Sequence, residues 1–197
     1  WCASLGYGNA ELIEAITGQL KTLSYSHMFG GRTHNVVIRL AEQLSEMLPV
    51  KNSKIFFANS GSEANDSHIK MLRYYFNVTG EPQKKKIIAL ERSYHGVTVA
   101  SAALTGLPAN HTHFDLPVDA LGVIRAESPH YYRGRKDNET EREFCERIIG
   151  NLEDLILREN PETIAAFVAE PIGGASGVVV APDNYFPEGE NVLTTYD

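Results

Sequence analysis

The sequence predicts an α/β fold: a mainly parallel, mixed sheet sandwiched by helices. Short apolar runs, "KIFFA", "KKIIAL" and "IAAFVAEPI", alternate with stretches of helical period. Each run hands over to polar residues of chemical interest, "ANSGSEAN", "ERSYHG" and "AEPIGG". Strands separated by helices join through right-handed crossovers, which makes neighbours parallel and covers both faces. Ligands of such sheets sit beyond the carboxyl ends of the strands. Three polar loops at one edge therefore imply one site.

In chain order, "ELIEAITGQLKTL" repeats Leu12, Ile13, Ile16, Leu20 and Leu23 at a helical period. "THNVVIRLAEQLSEMLP" does the same through Val37, Leu40, Ala41, Leu44 and Leu48, with Thr33 as N-cap and Pro49 as stop. "KIFFA" is short, apolar and partly aromatic, a buried strand. A helix follows from about Ser62 to Phe76, with Ala64, Ser67, Met71, Leu72 and Tyr75 near one face, and Gly80 and Pro82 break it. "KKIIAL" is the second strand and "TVASAAL" a short helix. Residues 108 to about 137 read as loop. "TEREFCERIIGNLEDLILREN" is a long amphipathic helix carrying Phe144, Ile148, Leu152, Leu155 and Ile156. Pro161 separates it from a third buried strand, "IAAFVAEPI".

With 197 residues, 43% apolar and 22% charged, the chain can bury a core without metal or disulfide staples. A net charge of -7, with acids and bases interspersed, argues against nucleic acid and anionic membrane as partners. No run approaches the ~20 apolar residues of a membrane helix. Cys2 and Cys145 lie far apart in no metal-ligand spacing, which fits two reduced thiols in a reducing compartment, the cytoplasm. Without a secretory signal, the Asn-x-Ser/Thr matches at Asn65, Asn77, Asn110 and Asn138 read as chance. The chain opens on "WCASLGYGN" without a methionine and closes on "NVLTTYD" where an apolar strand would follow, so a fragment is expected.

Ser60, Gly61 and Ser62 stand where the first strand meets its helix. A helix N-terminus offers unpaired N–H groups and about half a positive charge, which suits a phosphate. Glycine permits close approach, and the Ser62 hydroxyl can donate. An ordinary N-cap with Glu63 in the first turn explains the same residues equally well. No Gly-Lys-Ser/Thr element follows, so this is no nucleotide P-loop. Tyr94 after the second strand can lie on a flat heterocycle, with His95 as donor or orienter, or the two are a packed Tyr and a core His. Glu170 at the third strand's end is a carboxylate needing a partner, a ligand or an ion pair. Gly173, Gly174 and Gly177 permit a tight loop against a ligand, or a turn.

Together, "WCASLGYGN", "FFANSGSEAND", "ERSYHGVTVASAALTG", "HFDLPV" and "FVAEPIGGASGVVVAP" resemble the class III pyridoxal-phosphate aminotransferases, in order and spacing, over nearly the whole chain. The resemblance implies fold type I of the pyridoxal-phosphate-dependent transferases, in truncated form. It implies that residues 1–30 lead into the large domain, that 31–197 form its first part, and that the C-terminal small domain is absent. It implies a homodimer with shared sites and pyridoxal 5'-phosphate as cofactor. No metal is expected. By the same resemblance Gly61 and Ser62 bind the cofactor phosphate, Tyr94 stacks on the ring with His95 beside it, and Glu170 helps hold the cofactor. Trp1 and Phe29 belong to the substrate pocket, Phe29 reaching the neighbouring subunit, and Ala175 lines it.

The implied reaction moves an amino group from an amine or ω-amino acid to a keto acid such as pyruvate, with ping-pong kinetics. The family's Asp-Glu-x-x-x-Gly-x-Gly-Arg stretch and its Schiff-base lysine belong after residue 197, so no catalytic residue is assigned within the chain. The 197 residues alone are expected not to turn over. Two alternatives stay open: another enzyme of the same scaffold, an aminomutase or racemase, and a non-catalytic truncated relic.

Overall fold

The computed structural model describes residues 3–196, arranged as two compact units divided between Phe57 and Ala58. In the first, α1 (Ala10–Thr22) is capped by Asn9, whose side chain accepts from the Leu12 amide. Its expected apolar stripe exists but is unburied: Leu12, Ile13, Ile16 and Leu20 are all exposed. The second helix, α2 (Asn35–Met47), starts one residue later than the sequence suggests. His34, not Thr33, is its N-cap, and no side chain caps it. The helix ends at Met47, with an extended Leu48 as its C-cap just before Pro49, the expected stop.

"KIFFA" corrects the sequence reading. It is extended but forms no strand, and Phe56 is exposed. A strand needs a ladder partner, and no backbone hydrogen bond joins residues 54–57 to another segment among the described residues.

The second unit is built on a sheet. Helix α3 (Gly61–Val78) leads to β1 (Lys86–Leu90), α4 (Val99–Leu104), α5 (Val118–Leu121) and β2 (Val123–Ala126). Then come α6 (Tyr131–Gly134), α7 (Glu141–Glu159), β3 (Ile164–Val168), a small ladder β4 (Ile172–Gly173) and β5 (Val179–Val180), and α8 (Tyr185–Thr195). The order is β2-β1-β3, parallel throughout; β4 and β5 pair antiparallel. Strand β2 emerges from the stretch read as loop: "VIRA" has four residues, too few for a period to show.

Alternation along the strands makes the sandwich. Ile88 and Leu90 of β1 face α7, against Phe144, Cys145, Ile148 and Leu152. Ile87 and Ala89 face the other way, against Ile69 of α3 and Leu104 of α4. Helix α3 therefore buries Ile69 and Phe76, while Met71 and Tyr75 of the expected face stay exposed. The expected burial of β3 is only partial: all five residues are half-buried, because β3 is bonded on one edge alone among the described strands.

Helix α7 starts on a capping box, Thr140 with Glu143, that satisfies two terminal amides reciprocally. From its second turn Arg147 grips the loop after β2. It bonds both Glu139 oxygens (2.7 and 3.0 Å), Glu127 (3.2 Å) and the Gly134 carbonyl (3.0 Å). Those hydrogen bonds hold the Glu139 carboxyl down at about 2. Burial pushes the Cys145 thiol up to about 11, leaving it an inert core group. No helix among the described residues is long and apolar enough to cross a membrane.

Phe144 has no exposed surface and joins α7 to the sheet. Phe144→Ala should cost about 3–5 kcal/mol, as buried aromatic truncations do. Urea unfolding followed by circular dichroism measures it.

Candidate active site

The site is assembled where β1 and β3 end. Ser60 caps α3, its hydroxyl accepting from the Glu63 amide at 3.2 Å, and Glu63 turns back to accept from the Asn59 amide at 2.8 Å. Gly61 and Ser62 are then the first two helical residues, with their amides at the positive end of an 18-residue helix. Gly61 has an ordinary φ, and a Cβ added there would meet nothing within 4 Å. Nothing in the fold requires glycine at this point; its effect is to leave the helix end open.

Ser62 is tied to the loop after β1. Its oxygen accepts from the Val97 amide at 3.0 Å, which leaves its proton available to a ligand. Asn65 donates to the His95 carbonyl at 2.6 Å. Asp66 accepts from the Thr98 hydroxyl at 2.7 Å and the Ser101 amide at 3.1 Å. Gly96 lets the two segments meet. Its φ is +133°, and a Cβ would stand 2.5 Å from Ser101 Oγ and closer still to Ser62 Oγ.

The same loop reaches β3. The Tyr94 amide donates to Glu170 Oε2 at 2.8 Å, so Glu170 has a partner, but a backbone amide rather than an opposite charge. Tyr94 keeps 36% of its surface exposed, room for a flat ligand on its ring. His95 is buried; its amide donates to Thr105 Oγ1 at 2.9 Å, and its Nε2 has no partner. Burial, then the nearby Arg125 charge, lowers its pKa to about 4, so the imidazole is neutral at pH 7.

One loop, 94–97, thus meets Glu170 through the Tyr94 amide, Asn65 through the His95 carbonyl and Ser62 through the Val97 amide, with Gly61 next to Ser62 in the chain. Ala175 is exposed in the turn between β4 and β5, after Glu170. Phe29, 84% exposed, belongs to the first unit, and Trp1 lies outside the described residues. The sequence reading passed over Asn65, Asp66, Gly96, Thr98 and Ser101, which hold the cluster. Two polar residues one turn into a helix were their signal. It also passed over Arg125, a lone charge in an otherwise apolar strand.

A sequence profile described as "Aminotransferase class-III" matches residues 1–196. The chain belongs to the class-III aminotransferases. Gamma aminobutyrate transaminase 1, mitochondrial, of Solanum lycopersicum is 50% identical over all of this chain, which covers 38% of that protein. Vanillin aminotransferase of Capsicum chinense is 49% identical, again over all of this chain and 43% of that protein. A crystal structure of the omega transaminase from Pseudomonas jessenii in complex with PMP superposes with a TM-score of 0.93 at 49% identity. That match covers 99% of this chain and 43% of the other. The class-III chain described here thus spans about two fifths of the length of these relatives, and its α/β architecture is that of the solved transaminases.

Two outcomes test the cluster. Gly96→Ala forces a side chain into a positive-φ, filled position and should destabilise the fold by about 1–3 kcal/mol in urea. For His95, the folded pKa of about 4 lies below 6.5. Between those values the unfolded chain binds the extra proton, so stability is full above pH 6.5 and falls as pH drops toward 4. His95→Gln should flatten that decline in urea midpoints measured from pH 7 to 4.

Proposed function

We propose that the complete protein is a pyridoxal 5'-phosphate-dependent transaminase. It would move an amino group from an amine or ω-amino acid to a keto acid such as pyruvate. The observation that carries the reading is the open start of α3 at Gly61, where amides and the free Ser62 proton converge in a class-III aminotransferase chain. The residues present fit the cofactor. Amides at the start of α3 and the Ser62 hydroxyl would hold its phosphate. Tyr94 would cover its ring, and Glu170, fixed by the Tyr94 amide, would border it. Neutral His95 would add no charge beside the ring.

Pyridoxal phosphate, when bound, supplies an electron sink for a carbanion next to nitrogen. The chain's own part is to anchor the phosphate, limit movement of the ring and keep the loops rigid. Lysines 84–86 lie at or before the start of β1, the opposite end from these loops. By the class-III resemblance, the lysine that would bond the cofactor is expected after residue 197. The relatives' names support an amine-side donor: γ-aminobutyrate carries its amine away from its carboxylate, and vanillin is an aromatic aldehyde. A homodimer completes the reading. The exposed apolar stripe of α1 and the exposed Phe29 would meet a second copy, and Phe29, Trp1 and Ala175 would line the substrate pocket. The buried thiol fits a reducing compartment, cytoplasmic or otherwise.

The test uses the full-length protein, assayed with pyruvate and a panel of amines. Ping-pong amino transfer is expected; amino-group migration within one substrate, or racemisation, would replace the reading. Ser62→Ala should weaken pyridoxal phosphate by about 1.5–3 kcal/mol, the worth of a hydrogen bond to a charged group, read by equilibrium dialysis.

A further inference from the structure

Tyr94 and His95 sit on a loop whose position must come from somewhere. One tether is Glu170. Asn65 and Ser62 of α3 are a second, and the turn after α4 is a third. The Arg92 amide donates to the Gly106 carbonyl at 2.9 Å, the Gly106 amide to the Ser93 carbonyl at 2.8 Å, and the His95 amide to Thr105 Oγ1 at 2.9 Å. Gly106 is obligatory: a Cβ would stand 2.8 Å from the Arg92 nitrogen and still nearer the Leu90 carbonyl oxygen.

That turn ends a helix of only six residues, too short to hold itself. Its last carbonyls carry the negative end of the helix. Arg125, from the middle of β2, reaches them. Nη2 donates to the Ala103 carbonyl at 2.6 Å and the Thr105 carbonyl at 2.8 Å, and Nη1 donates to the Leu104 carbonyl. No carboxylate forms an ion pair with Arg125 among the described residues. Burial disfavours the charge and the Glu91 carboxylate offsets it only in part; a half-buried guanidinium is costly unless its geometry is used, and a planar fork that spans three carbonyls uses it.

We infer that Arg125 is a positioning residue: by clamping the turn at 103–105 it sets, through Thr105 and Gly106, where Tyr94 and His95 stand. The consequence for cofactor binding rests on the transaminase reading above; the clamp itself does not. Its substrate is the loop, not the ligand. Lysine, a point charge without the fork, cannot span all three carbonyls.

The experiment compares full-length wild type with Arg125→Gln, Arg125→Lys and Thr105→Val, and with Ser62→Ala and Tyr94→Ala as cofactor controls. In protein freed of cofactor, hydrogen exchange at the Arg92, His95 and Gly106 amides should quicken about tenfold or more in Arg125→Gln, and at His95 alone in Thr105→Val. With pyridoxal phosphate added, both variants should change the visible circular dichroism of the bound cofactor and raise its dissociation constant about tenfold. Arg125→Lys should recover part of each effect. A merely structural arginine would lower the urea midpoint and leave the bound cofactor's dichroism as in wild type, which overturns the inference. Unchanged amide exchange in Arg125→Gln overturns it too. Should Arg125→Gln fail to fold, Thr105→Val and Arg125→Lys decide. If Ser62→Ala and Tyr94→Ala leave cofactor affinity untouched, the transaminase reading fails, and amide exchange still judges the clamp.

Discussion

The close approach of the loop after β1 to the first turn of α3 governs this site. It depends on one missing side chain: Gly96 lies where any Cβ would strike Ser62 and Ser101. Across that contact run bonds from Ser62, Asn65 and Asp66 to residues 95–101. An apolar pair could not replace them, because each satisfies a backbone group or hydroxyl, and those at His95, Thr98 and Ser101 are partly shielded from water. The helix end is consequently organised in advance, before any ligand arrives. Such preorganisation gives fixed dipoles their value, since no reorientation is needed when charge appears.

Rigidity is spread unevenly around the cluster. Behind it, the parallel sheet and α7 form a dense core with Phe144 at its centre. Beside it, short α4 has little intrinsic stability and borrows order from Arg125 and from Asp66, which bonds Thr98 and Ser101 at its start. Neutral His95 follows from the same arrangement. An imidazolium there would be desolvated and close to a guanidinium, and both effects favour loss of the proton.

Much of this was legible in the residues. Strong periods announced α1, α2, α3 and α7; the capping box of Thr140 and Glu143 at the start of α7 went unread. Polar residues of "ERSYHG" and "AEPIGG", Tyr94 and Glu170, did converge. What failed had physical reasons. "KIFFA" has strand composition, but composition supplies no ladder partner. "VIRA" is too short to show a period and carries a charge that argues against a core strand. The second tier of the site was hidden because its members act through backbone groups. Asn65, Thr105 and Arg125 bond carbonyls and amides that no side-chain pattern reveals.

The one-sided pairing of β3 has a consequence for handling the polypeptide. Ile164–Val168 is entirely apolar, and one of its backbone edges meets no strand among the described residues. Unpaired donors and acceptors along such a segment are a template on which another molecule can nucleate cross-chain pairing. Whatever shields this margin in the cell therefore serves as a safeguard against clumping as well as a part of the architecture.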